Sequence, residues 1–163
     1  MATKADFTAE EWLQISTAPQ MAALYVTFSS PSGLVGAVKE MMVYPKLIVE
    51  AMKAASGNAL IDAVAADFKA KLETKQKPEL PQMSRNPEEI KAQCLQACRG
   101  LAWLLSQKAP AEAEGYKQWV YKAAQYSAEA AKEGGFLGFG GIKVNEAETA
   151  ALKEIASALG IPT

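Results

Sequence analysis

The chain contains no histidine, and this absence removes more chemistry than any of its motifs adds. Ser-His-Asp and Cys-His catalysis, histidine-ligated zinc and the Glu-x-x-His pairs of di-iron bundles all need an imidazole. Arginine is nearly as scarce, with Arg85 and Arg99 alone. The net charge of −1 provides no basic footprint for displacing counterions, so no nucleic-acid partner is expected. Aromatic residues make up only 8% although half of the chain is apolar. Alanine fills much of that half, which favours closely approaching helices over sheet. No strand pattern and no internal repeat is visible.

Charge is missing altogether from Trp12 to Val38, a run of twenty-seven residues. Gln14, Ser16, Thr17, Gln20, Ser29, Ser30 and Pro31 interrupt the run. A single helix crossing a bilayer would leave their polar groups without partners, so a membrane role ranks below two inner bundle helices or an oligomer surface. Met1 to Phe7 holds one lysine and one aspartate and no apolar run, which does not read as a secretory signal and points to the cytoplasm. The 163 residues are read as one domain, able to bury roughly two-thirds of the surface that the unfolded chain exposes.

Capping signals divide the chain into helices. Thr8 with Glu11 starts a first helix near Ala9. Pro19 suits a first turn better than a helix interior, so a second helix is expected over 20–28. Ser32 caps a third, running to about Ala55 with a kink at Pro45; its polar stripe is confined to Lys39, Lys46, Glu50 and Lys53, which places it at the centre. Asn58 caps a fourth, with Leu60, Ile61, Val64, Phe68 and Leu72 on its apolar face. Residues 77–86 form an exposed, proline-containing connection, and Asn86, Pro87 and Glu89 start a fifth helix that reaches Lys108. Pro110 opens a sixth with Tyr116, Trp119, Val120, Ala123 and Tyr126 aligned. Asn145 and Glu148 cap a last one, which docks through Leu152, Ile155 and Leu159. The fold expected is all-α, a compact bundle of six to seven helices.

Five of the eleven glycines fall within 134–141, inside a loop read as 134–144. Gly134, Gly135, Phe136, Gly138, Phe139, Gly140 and Gly141 can present backbone amides to an anion, or the rings can plug the end of the bundle behind a left-handed cap. The Gly-Lys-Ser/Thr ending of a P-loop is absent, and no strand precedes the loop.

Cys94 and Cys98, four residues apart on one apolar helix face, read as small hydrophobes rather than a disulfide or half of a metal site; no metal or cofactor is expected. Arg99 and Trp103 lie on the opposite side, where the guanidinium can stack on the indole, and mark either a second packing layer or a partner surface. Lys69, Lys71, Lys75, Lys77 and Arg85 read as a solvated basic face. Among the carboxylates Glu40, Asp62 and Asp67, none carries a sign of acid-base work, and Glu40 alone stands off its helix's polar stripe.

The segments Pro31-Ser32-Gly33-Leu34-Val35-Gly36 with Lys39-Glu40, and Gly134 to Gly141 followed by a capped helix, resemble a group of small uncharacterised bacterial proteins. The resemblance implies a bacterial, cytosolic, all-helical protein and carries over no activity. Two functions follow from the sequence. One is a non-enzymatic interaction module that associates with itself through its apolar second and third helices or the Trp103 face. The other is a small-ligand binder using the 134–141 loop. An enzyme ranks third, because no nucleophile, base and stabiliser can be named together.

Overall fold

The computed structural model describes residues 1–29, 43–53, 56–77, 79–133 and 141–162. A 3-10 turn at Lys4–Asp6 precedes six α-helices: α1 (Ala9–Ser29), α2 (Val43–Lys53), α3 (Ala59–Glu73), α4 (Pro87–Lys108), α5 (Pro110–Glu133) and α6 (Gly141–Leu159). No strand occurs among the described residues, and the fold is the all-α bundle that the capping pattern predicts. The readings that fall on residues 30–42, including Glu40 and the Ser32 cap, lie outside the described residues, as does the glycine loop from Gly134 to Gly140.

The expected break at Pro19 does not occur. α1 continues through it, and the reason lies on another helix. A proline has no N–H for the carbonyl four residues earlier, which here belongs to Ile15. The hydroxyl of the fully buried Tyr116 on α5 donates to that carbonyl at 2.8 Å, so the acceptor left by Pro19 is satisfied inside the core.

The continuous α1 is also the central element of the described structure; the third helix expected from Ser32 to about Ala55 is described only over Val43–Lys53. α1 packs on α4, α5 and α6 at once, while α2 lies against α3 and α5 with a smaller contact to α1. Ile15, Ala18, Ala22 and Val26 of α1 meet Leu101 and Leu105 of α4, Tyr116, Val120, Ala123 and Ala124 of α5, and Ile155, Ala156 and Leu159 of α6 in one buried cluster. Alanines at five of these positions let helix axes approach closely, as the composition suggests. As far as Ser29 the charge-free stretch is buried or half-buried, with Leu13, Gln14 and Gln20 among the half-buried positions.

Local capping is formed as expected at two starts. Thr8 and Glu11 make a reciprocal box, with Glu11 accepting from Thr8 N at 2.8 Å and Thr8 Oγ1 accepting from Glu11 N at 3.2 Å. Asn58 accepts from the amides of Leu60 and Ile61, after Gly57 has turned the chain at φ +69°. At α4 the cap is Asn86, but Glu89 does not reach back to it. Its carboxylate takes a hydrogen bond from Ser84 Oγ, and Asn86 N donates to that same hydroxyl at 3.1 Å.

Three other boundaries and faces differ from expectation. α6 is helical from Gly141, so Asn145 and Glu148 lie inside it rather than at a cap, and the loop read as 134–144 ends at least four residues earlier. Glu148 is buried at 1% exposure. Leu72, assigned to the apolar face of α3, is 59% exposed, and Val49 on α2 is 46% exposed. Both sit on helices covered from fewer sides than α1.

Candidate functional site

The residues named from sequence fall into separate places. Gly134, Gly135, Phe136, Gly138, Phe139 and Gly140 lie outside the described residues, and Gly141 appears only as the first residue of α6. Arg99 and Trp103 are exposed on the outer face of α4, with Trp103 at 67%. The stacking open to them is not formed: among the described residues, the cations lying over rings are Lys4, Lys46, Lys91, Lys108 and Lys122.

Cys94 and Cys98 are free and fully buried. Burial pushes both thiols up to about 12, so they are packing atoms rather than nucleophiles or ligands at neutral pH. No group of histidine, cysteine or acidic side chains suited to a metal occurs among the described residues. None of the described helices is long and apolar enough to cross a membrane.

Two carboxylates form ionic corners that tie distant elements together. Asp67 on α3 is the first; it receives Lys4 Nζ at 2.6 Å, Trp12 Nε1 at 3.1 Å and Lys71 Nζ at 3.2 Å. Burial is the largest influence on it and pushes its pKa up, but the three donors together outweigh burial and hold it below the usual value. Glu50 on α2 is the second; it accepts from Tyr126 Oη at 2.8 Å and Lys122 Nζ at 3.1 Å on α5, and the tyrosine bond leads in lowering its pKa. A carboxylate stabilised in its charged form is a structural anchor and a poor general acid. Part of the basic face is paired as well, Lys71 with Asp67 and Lys69 with Glu73.

The concavity that the sequence did not disclose is a cleft of about 420 Å³ between α1, α4 and the proline-containing connection. α1 contributes Glu10, Leu13, Gln14, Thr17 and Met21, and the connection contributes Pro81, Gln82 and Met83. Gln93, Gln96, Ala97 and Gly100 of α4 complete it. Their spacing of three, four and seven residues is one helix face. Amides dominate the polar lining, and Glu10 is the one ionisable residue.

Gly100 shapes the floor of this cleft. A Cβ at that position would collide with Gln14 Nε2, so the glutamine amide rests against bare helix backbone. Gln93 holds the opposite wall, its Oε1 accepting from Ser84 N at 3.0 Å. The available sequence signal was a glycine and two glutamines on a single stripe of an otherwise strongly amphipathic helix. No family model, curated protein or solved structure matches the chain.

Proposed function

We propose that this protein acts by binding rather than catalysis, as a helical module that pairs with a second copy of itself through the outer face of α4. The observation that carries the reading is Trp103, an indole 67% exposed beside the exposed Arg99 on a helix otherwise anchored in the core. Tryptophan and arginine are the residue types that dominate interface energetics, and a near-zero net charge sets up little repulsion between copies. The inert thiols and the charged, anchored carboxylates support a role without covalent or acid-base chemistry.

The test uses an optical asymmetry in the chain. Trp12 and Trp119 are 4% and 9% exposed, so collisional quenching by acrylamide reports mainly on Trp103. Quenching is expected to fall as protein concentration rises through the micromolar range, in step with a doubling of mass by light scattering. Trp103→Gln should weaken pairing by about 2 kcal/mol, roughly thirtyfold in Kd, without altering the monomer's melting temperature. A wild-type protein that remains monomeric, with concentration-independent quenching, rules the proposal out.

A further inference from the structure

We propose that the cleft between α1, α4 and the proline-containing connection binds a short, extended, uncharged stretch of polypeptide by pairing its backbone amides with glutamine side chains. Three observations lead there, and none depends on self-association. The first is size and shape. The volume of about 420 Å³ is within the range of ligand sites, and the α1 wall from Glu10 to Met21 runs about 16 Å at 1.5 Å per helical residue. An extended chain rises about 3.4 Å per residue, so about five residues fit along it.

The second is lining chemistry. Carboxamides offer a donor and an acceptor each, the complement of a peptide unit, and Leu13, Met21 and Met83 supply apolar contact between them. A charged ligand would find a counter-ion only at Glu10. Gln82 and Gln96 are exposed and Gln14 is half-buried, so solvent reaches their amides.

The third is that the protein already uses this pairing on itself. Gln93 Oε1 accepts the backbone N–H of Ser84, holding the connection against α4. Gln96 lies on the same face one turn further along, where a second extended backbone would meet an equivalent amide. Gly100 then has a purpose. Glycine is a poorer helix former than alanine, and here it keeps the Gln14 amide on the floor of the groove instead of displaced into it.

The probe is a pool of N-acetylated, C-amidated pentapeptides of Ala, Leu, Ser and Gln at millimolar total concentration, added to the ¹⁵N-labelled full chain. Saturable shifts in the side-chain amide signals of Gln14, Gln93 and Gln96 are expected. The same pool with N-methylated backbone amides should bind at least about tenfold more weakly, because each lost N–H donor leaves a cleft acceptor unpaired. Gly100→Ala should weaken binding by a similar factor. Gln96→Leu, at an exposed position that cannot affect folding much, should do the same and guards against a Gly100→Ala effect on the fold. Absence of shifts at these glutamines overturns the proposal. So does equal binding of the methylated pool, which would mark an apolar surface only.

Discussion

The hydroxyl of Tyr116 does more for this fold than its size suggests. It is fully buried and donates to the Ile15 carbonyl, which Pro19, having no N–H, cannot serve. Removing the hydroxyl takes this donor away from a buried carbonyl in α1, while the ring still fills its space. Tyr116→Phe should therefore cost about 1 to 2 kcal/mol and lower the melting temperature by about 3 to 6 °C. Scanning calorimetry of the single variant decides it: an unchanged melting temperature would show that water or backbone shift satisfies Ile15 instead. The same pair shows why the sequence misleads at Pro19. The proline is legible as a breaker from its own chemistry, but its remedy sits 101 residues from Ile15. Thr8 with Glu11, and Asn58 with Leu60 and Ile61, are readable because cap and capped amide lie within three residues of each other.

Among the elements, α3 and α5 are locked at one point by a contact that no propensity scale contains. Asn58 caps α3 through its Oδ1 and donates from Nδ2 to the Glu112 carbonyl in the first turn of α5 at 2.8 Å. One turn on, a Cβ at Gly115 would come within 2.8 Å of that Nδ2. Three hydrogen bonds fix the short asparagine side chain, so it cannot move aside cheaply. Gly115→Ala should be destabilising by about 1 kcal/mol even though alanine is the better helix former. With Asn58→Ala already present, itself costing about 2 kcal/mol, the same Gly115→Ala change should become neutral or stabilising. Urea unfolding of the four proteins in the cycle measures the coupling, expected near 2 kcal/mol, and additive effects would mean that the close approach is harmless. The cleft likewise exists only between elements. Gln14, Met83 and Gly100 belong to three segments, and only the packing of α1 on α4 brings them together. The amphipathic stripes that build the core repeat within each helix and can be counted from the sequence, whereas a groove between stripes has no period to count.

Long-range ionic contacts among the described residues join elements that also meet in the apolar core. Lys4 with Asp67 ties the N-terminal turn to α3, Lys108 with Glu11 ties α4 to α1, and Lys122 with Glu50 ties α5 to α2. In all three the carboxylate pKa is lowered: Glu11 chiefly by the Lys108 hydrogen bond, Glu50 chiefly by that of Tyr126, and Asp67 because its donors exceed an opposing burial effect. A carboxylate with a lower pKa folded than unfolded binds fewer protons in the native state. Its stabilising contribution is therefore complete above the ordinary carboxylate pKa of about 4 and disappears as pH falls through the lowered native value. Stability should fall on acidification in that window, and the fall should be shallower in an Asp67→Asn, Glu50→Gln double variant, which has less to lose. Urea midpoints for both proteins at pH 7 and at about pH 3 test this directly. Parallel decline of the two would place the acid sensitivity elsewhere in the chain, with the core rather than these anchors setting how α2 and α3 sit on the bundle.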